Sequence, residues 1–447
     1  MRQTAIALLV LGAISLVPRE QAMPSTSNAP QFLYTVAKRY EPLAWMKGGD
    51  RFPSGAKLFT RDRNGERALA SDFAASADAA VSFDGKRVLF AGKRAAQDHW
   101  QIWEITLAGG DPRAITSCAG HCVRPFYLPD DRIVYAENVG GRFVIQNLSV
   151  AEGKSFALTY LPSNSFPTDV LRDGRVLFES VYGAGRTPDI YTVYSDGSGV
   201  ESYRCDHGPA RHSGRQVSSG DIVFADNHGL ARFTSALAKP ARIGAPSGDY
   251  AAGPEETATG EWLLAWRPRA NKNFRLMWWT PGQTAMRNAM EEQADDVIQP
   301  VLIRENFVPK KHPSGLHDWQ FANLLCLNAY TSKDKFAAGS IRSVRVYTLE
   351  SAGVPQLLGN APVESDGSFY IQVPGDQPLQ VELLDASGKT LKRETGWFWS
   401  RKGEQRVCVG CHAGPETAPE NVVPMALQKS TTPADLTHAS TAVGGHE

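Results

Sequence analysis

A turn motif recurs along the first two-thirds of this chain of 447 residues. Each copy has an Asp-Gly pair, or a related turn, followed by a short run of apolar residues. The turn positions are 40 to 46 residues apart, and they are Gly85, Asp131, Gly174, Gly220 and Gly260. A unit of about 40 to 45 residues holds four short strands with their turns, which is one blade of a β-propeller. The spacing therefore predicts an all-β fold that begins with a propeller.

A further strand follows this motif in two of the repeats. Residues 101–105 and 189–193 alternate apolar and polar side chains, and each run is followed by a Gly-containing turn. This order resembles the blade of TolB-type propellers. With residues 33–60 as an additional blade, we expect six blades between residues 30 and 290. The alternative is an array of β-sandwiches, but the sequence shows no charge runs of the kind that protect exposed sheet edges.

The repeat ends near residue 290, where a short polar linker begins. Alternating strand patterns return at residues 344–347, 368–373 and 379–384, and turns rich in Asp, Ser and Gly lie between or after them. We therefore predict a small β-sandwich middle domain over residues 297–395.

Residues 396–428 contain Cys408-Val409-Gly410-Cys411-His412, the attachment motif of a c-type haem. The two thiols add to the vinyl groups of the porphyrin, and His412 binds the iron as its proximal ligand. The alternatives are a redox or disulfide Cys pair and half of a zinc site, but the sequence has no second C-x-x-C pair. We therefore predict a segment that binds one covalent haem c. Residues 429–447 have little to bury and are predicted to be disordered.

The N-terminus predicts export. An apolar run from Thr4 to Val17 follows a short cationic stretch and is too short to span a bilayer in the usual way. Residues 1–22 are therefore interpreted as a signal peptide, cleaved after Ala22, and the protein is expected in the periplasm. Glu20 is not the small residue that signal peptidase prefers, so an uncleaved anchor is the alternative. No later apolar stretch is long enough for a membrane span.

Cys118 and Cys122 flank His121 in a short loop. In an oxidising compartment, a disulfide across this loop is the favoured interpretation. Metal binding by the two thiols and His121 is the alternative, although a structural zinc needs a fourth ligand.

Several segments of the second half resemble the hydrazine synthase alpha subunit family. They are residues 314–319, 323–328, 396–399, 403–412 and 418–424. The order of propeller, middle β domain and C-terminal haem segment is similar as well. Members of that family are understood to carry two c-type haems, each on its own C-x-x-C-H motif. One is catalytic and lies in the middle domain, and the other passes electrons.

This sequence has one such motif, and the resemblance assigns residues 408–412 to the electron-transferring haem. The predicted middle domain offers the lone Cys326, which with Tyr330 is either a remnant of a catalytic site or, as apolar neighbours favour, a buried core residue. Hydrazine synthesis is therefore not expected of this chain.

The resemblance implies a haem with two histidine ligands, the distal one from the propeller. His228 is the first candidate, in a turn after a blade strand, and His207 and His121 are the others. Met425, thirteen residues after His412, is the alternative that small cytochromes with a single haem suggest.

Two ligands of this kind favour one-electron transfer, in which a redox partner protein receives or supplies the electron. A haem enzyme that acts on a small nitrogen or sulfur compound is the alternative, and a propeller binding module with a structural haem is the third. Nucleic acid is not an expected partner, because Lys plus Arg and Asp plus Glu both number 47.

Overall fold

The computed structural model describes residues 30–62, 65–182, 187–204, 210–236, 238–350, 353–411, 418 and 420–438. These residues form β-strands almost throughout, which confirms the predicted all-β fold. Two short helical segments accompany the strands, a 3₁₀ turn at Ala44–Lys47 and an α-helix, α1, at Met425–Lys429. No helix in the described part of the chain is long and apolar enough to cross a membrane.

Twenty-five strands between Phe32 and Leu302 form six antiparallel sheets, five of four strands and one of five. Their bounds are β1 Phe32–Ala37, β2 Lys57–Asp62, β3 Gly65–Ala68, β4 Ala75–Val81, β5 Arg87–Lys93, β6 Gln101–Thr106, β7 Arg113–Ala114, β8 Cys122–Leu128, β9 Arg132–Val139, β10 Arg142–Ser149, β11 Lys154–Ala157, β12 Ser165–Val170, β13 Val176–Tyr182, β14 Thr187–Val193, β15 Glu201–Ser202, β16 His212–Gln216, β17 Ile222–Asp226, β18 Gly229–Phe233, β19 Ala241–Arg242, β20 Asp249–Tyr250, β21 Glu255–Glu256, β22 Trp262–Arg267, β23 Arg275–Trp279, β24 Arg287–Asn288 and β25 Asp296–Leu302.

The recurring turns join the inner strand of a blade to its second strand. Gly85 donates its N–H to the carbonyl of Ser82, and Gly174 donates its N–H to the carbonyl of Leu171, both at 2.9 Å. Both glycines have positive φ, which a residue without a Cβ adopts at little cost. Val88 and Val176 then occupy equivalent buried places, each paired with an inner-strand valine.

The first blade is closed by the end of the propeller segment. Strand β25 pairs antiparallel with β1, from Phe32 opposite Leu302 to Ala37 opposite Asp296, and forms the inner edge of that sheet. The propeller therefore extends past the predicted boundary near residue 290. The polar linker was a correct sign of a change in pattern, but it precedes the closing strand instead of following it.

Two buried ion pairs lie where the inner strands converge. Arg51 donates two hydrogen bonds to Asp78, at 2.9 and 2.6 Å, and Arg124 donates one to Glu179, at 2.5 Å. Charges this deep are tolerated only when both partners are present and well hydrogen-bonded. Arg51 lies in the loop between β1 and β2, so its pair with Asp78 ties the first blade to the second. The other pair ties the third blade to the fourth.

The remaining strands form two four-stranded sheets packed as a sandwich, ordered β32-β26-β29-β33 and β28-β27-β30-β31. Their bounds are β26 Phe321–Cys326, β27 Ser343–Leu349, β28 Pro355–Pro362, β29 Phe369–Pro374, β30 Leu379–Leu384, β31 Thr390–Arg393, β32 Gln405–Cys408 and β33 Ala434–Asp435.

The sandwich takes in more of the C-terminus than predicted. Strand β32 belongs to the predicted haem segment and β33 to the predicted disordered tail, and both are edge strands of one sheet. Leu436 is buried in the sandwich core, which gives this part of the tail an apolar group to bury. Residues 439–447 lie outside the described residues.

The linker between the domains crosses the propeller on the side of the Gly85 and Gly174 turns, hereafter the linker face. Asn306 donates its N–H to the carbonyl of Phe83, and Lys310 donates its N–H to the carbonyl of Arg172. Turns between the second and third strands of a blade lie on the opposite side, hereafter the far face, because successive strands run in opposite directions.

We predict that Gly174→Ala destabilises the protein more than Gly220→Ala. Both glycines have positive φ in equivalent turns, so both changes carry a strain of about 1 kcal/mol. An added Cβ at Gly174 would also overlap the backbone carbonyl of Lys310, whereas at Gly220 it meets nothing within 4 Å. Denaturant unfolding should show an additional loss of about 1–3 kcal/mol for Gly174→Ala. Equal losses would contradict the described path of the linker.

Candidate functional site

The first cysteine of the C-x-x-C-H motif ends a strand of the sandwich. Strand β32 pairs in parallel with β26, and in this register Cys408 lies opposite Cys326. Leu327 donates its N–H to the carbonyl of Cys408 at 2.9 Å and continues the pairing past the strand ends. Parallel pairing places Cys326 and Cys408 side by side at the same end of the sheet, although 82 residues separate them in sequence.

The loop after β26 forms the wall against which the motif packs. Gly410 passes so close to the carbonyl of Thr331 that a Cβ there would overlap it. Asn328 accepts the N–H of Tyr330, and the phenol of Tyr330 donates to the carbonyl of Ile341 and accepts its N–H. These bonds fix the shape of the loop, and the close approach of its Thr331 carbonyl explains why a glycine stands between the two cysteines of the motif.

A second turn completes the same end of the sheet. Asp366 accepts the N–H of Met425 at 2.7 Å, and the hydroxyl of Ser368 accepts the N–H of Ala426 at 2.9 Å. These bonds anchor the start of α1 beside the Cys326 end of the sheet. The chain after the motif therefore returns to the end of the sheet at which Cys408 lies.

Burial dominates the electrostatics of the thiols. Cys326 is 2% exposed, and burial raises its pKa well above the ordinary value, with the nearby thiols of Cys408 and Cys411 adding to the effect. Burial likewise raises the pKa of Cys411 to about 12, and Glu394 contributes to this rise. In the protein without haem, both groups are therefore neutral thiols near pH 7.

The residues around the motif suit an apolar group with two thiol attachment points. Cys408 and Cys411 are both free thiols, and both are partly exposed. Val407, directly before the motif, is unusually exposed at 58%, and further along the chain Val422 and Val423 are exposed at 68% and 62%. An apolar macrocycle joined to the two cysteines would cover surface of this kind. His412, the predicted proximal ligand, lies outside the described residues.

The structure does not bring the propeller candidates for the distal ligand to this site. His228 lies in the β17–β18 turn and His121 immediately before β8, so both are on the far face. The linker and the segment that leads to β32 contact the linker face. His207 lies outside the described residues. Met425 is the candidate that lies at the Cys326 end of the sandwich, where its sulfur accepts the hydroxyl of Ser365 at 3.1 Å.

Cys118 and Cys122 form a disulfide, which confirms the favoured interpretation of that loop. Glu137 lies close to both sulfurs, but the sulfurs are already bonded to each other. His121 turns away from this pair, and its Nδ1 accepts the backbone N–H of Trp100 at 3.1 Å.

Comparison with known proteins shows a family match within the second half of the chain. Residues 326–413 match the family described as the hydrazine synthase alpha subunit middle domain. Hydrazine synthase subunit alpha of Kuenenia stuttgartiensis is 34% identical over 515 aligned positions, which cover 81% of this chain and 63% of the relative. The chain is related to the hydrazine synthase alpha subunit.

One solved structure agrees with this relation at the level of the fold. Hydrazine synthase of Kuenenia stuttgartiensis superposes with a TM-score of 0.76 at 18% identity, over 90% of this chain and 72% of that one. TolB of Acinetobacter baumannii has a TM-score of 0.48 at 16% identity, over 63% of this chain and 67% of that one. The chain spans about two-thirds of the length of the hydrazine synthase alpha subunit that it matches in sequence.

The match corrects the assignment of the haem motif. The middle-domain family covers both Cys326 and residues 408–412, and β32 is a strand of the sandwich sheet. The motif therefore belongs to the middle domain and not to a separate C-terminal segment. The sequence alone suggested the other assignment because the motif follows the three recognisable sandwich strands, whereas β32 joins the sheet only through pairing with β26.

We predict that Cys326 and Cys411 react slowly with an alkylating reagent in reduced protein produced without haem. At pH 8, Cys326 and Cys411 should react with iodoacetamide about tenfold or more slowly than the same residues in unfolded protein, because burial raises their pKa values and leaves little thiolate. Peptide mass spectrometry would measure the rates, with protein in urea as the control. Modification of Cys326 at the unfolded rate would show that the sheet end is open.

Proposed function

We propose that this chain binds one haem c through Cys408 and Cys411, with His412 as the proximal iron ligand, and that it carries out redox chemistry on a small nitrogen compound there. The observation that carries the proposal is the position of the motif within the match to the hydrazine synthase alpha middle domain. By the family resemblance, the middle domain is where the catalytic haem lies.

A bound haem c supplies a redox-active iron, and the iron has a position for a small ligand when no second strong ligand occupies it. The residues of the chain hold the group. Cys408 is fixed by β32, and Cys411 is packed against the sandwich core. Tyr330 supports the loop next to Gly410, and the exposed Val407 before the motif offers an apolar contact surface.

Export to the periplasm is part of the proposal. It is supported by the apolar run near the N-terminus, by the disulfide at Cys118 and Cys122, and by the haem motif, since covalent haem and stable disulfides are typical of exported proteins. The signal segment, residues 1–22, lies outside the described residues.

One-electron transfer with a redox partner protein is the second candidate function. It is favoured by the position of Met425, whose backbone N–H is held by Asp366 at the end of the sheet that carries Cys326 and Cys408. A sulfur ligand on the second side of the iron would close the site to substrates.

We predict that covalent haem depends on both thiols of the motif. Replacing Cys408 and Cys411 together with Ala should abolish haem staining of the protein after denaturing electrophoresis, because no thioether can form. Cys326→Ala is the matched control, since it removes the neighbouring buried thiol and leaves the motif intact. The haem assignment fails if the double variant still stains, or if Cys326→Ala loses the stain while the folded protein persists.

The two candidate functions differ in the iron's sixth position. The redox-enzyme proposal predicts that the ferrous protein is high-spin and binds carbon monoxide readily, and that Met425→Leu leaves the absorption spectrum unchanged. Met425 is partly exposed, so this variant should fold. A low-spin spectrum that becomes high-spin in Met425→Leu would instead establish the electron-transfer function. A low-spin spectrum lost in His228→Ala would contradict the described positions of the propeller histidines.

A further inference from the structure

A cavity of about 210 Å³ opens at the far-face end of the propeller channel. It lies between the 3₁₀ turn at Ala44–Lys47, the loop that follows this turn, and the entrances to the second and third blades. Its wall is aromatic, and the rings are Trp45, Phe52, Trp100, Phe143 and Phe166.

The aromatic rings of the wall pack against one another around the cavity. Trp45 and Phe143 both contact Phe166, with ring centroids 5.0 and 4.7 Å apart, and Phe52 contacts Trp100 at 6.0 Å. Protein interiors are close-packed, and spaces larger than a water molecule are few. An aromatic-lined space of this size fits a flat ring, which can stack on such walls.

The cavity carries one negative charge beside the ion pair of its floor, because the exposed Asp50 also lines it. The floor itself is neutral. It is formed by Arg51 and Asp78, which are joined by two hydrogen bonds. Asp78 also accepts the side-chain amide of Gln299 at 2.6 Å and the backbone N–H of Arg124 at 3.1 Å. Because the floor groups already satisfy one another, an anionic ligand would find no free counter-charge there, and Asp50 would repel it. The cavity therefore disfavours an anionic ligand.

Two side chains of the wall, His121 and Trp45, are neutral donors. The Nδ1 atom of His121 accepts the N–H of Trp100, so the neutral imidazole carries its proton on Nε2. Burial, with His99 and Lys93, lowers the pKa of His121 against the opposing effect of Asp50, so the imidazole is neutral near pH 7. The indole nitrogen of Trp45 is buried without a hydrogen-bond partner among the described residues. A ligand with an acceptor oxygen would match these donors.

We propose that this cavity binds a small planar ring compound that bears a carbonyl oxygen and no negative charge, with His121 donating to that oxygen. The site is separate from the haem motif, because it opens on the far face while the sandwich is reached from the linker face. The proposal therefore stands or falls independently of the haem.

Acetophenone and α-methylstyrene test the proposal directly, since they have the same shape and only acetophenone has the acceptor oxygen. Ligand-observed NMR titration of the full-length protein should give a dissociation constant about tenfold lower for acetophenone, the value of one hydrogen bond. Benzoate, the anion of similar shape, should bind more weakly than acetophenone.

The position of the bound probe can be read from the protein side. In protein labelled with ¹⁵N-tryptophan, both probes should shift the indole signal of Trp45, because an aromatic ring in the cavity lies beside it. Trp45→Phe assigns that signal. His121→Leu should weaken acetophenone binding about tenfold and leave α-methylstyrene unchanged, whereas His121→Gln, which keeps a donor, should restore acetophenone binding.

The affinities of the wild-type protein for the three probes test the proposal even if a variant fails to fold. Equal affinity for acetophenone and α-methylstyrene would overturn the proposed acceptor contact. Tighter binding of benzoate would overturn the exclusion of anionic ligands. Absence of any shift at Trp45 with millimolar acetophenone would show that the cavity holds water only.

Discussion

The candidate site depends on four residues of parallel pairing between β32 and β26. Asn323 to Cys326 pair with Gln405 to Cys408, and no turn links the two strands directly. Parallel strands point the same way, so the pairing brings both cysteines to one end of the sheet and aims the chain after Cys408 at the loop around Tyr330. Without this pairing, the motif would have no fixed relation to the middle domain.

The propeller fixes the approach to β32. Trp399 is fully buried against the third and fourth blades and donates its indole N–H to the carbonyl of Gly197 at 2.9 Å. Arg401 donates to the carbonyl of Asp196 at 2.6 Å, and Glu404 accepts the N–H of Gly199 at 3.1 Å. The propeller turn at residues 196–199 thus binds Trp399, Arg401 and Glu404, which lie just before β32. The propeller therefore fixes the position of the chain that leads into the site.

Local features were predictable from the sequence, and long-range pairings were not. The hairpin turns at Gly85 and Gly174, the strand Leu379–Leu384 and the Cys118–Cys122 disulfide follow from the chemistry of neighbouring residues. Closure of the propeller by β25 joins segments more than 250 residues apart, and such a pairing leaves no local periodicity.

The C-terminal strands could not be predicted from the sequence, whereas the position of His228 could. β32 and β33 are edge strands of four and two residues, too short to show an alternating pattern, so the sequence suggested a separate segment and a tail. The position of His228 was within reach of sequence reasoning. One strand separates it from the repeat turn at Gly220, and one strand always leads to the opposite face of a blade.

Locating the iron by anomalous X-ray diffraction from crystals of the haem-loaded protein tests the central claim most directly. The account predicts a single iron beside the Cys326 end of the sandwich, with the tetrapyrrole bonded to Cys408 and Cys411 and with no bond from the iron to a propeller residue. An iron bound to His228 or His121, or a structure in which Cys408 and Cys411 carry no porphyrin, would contradict it.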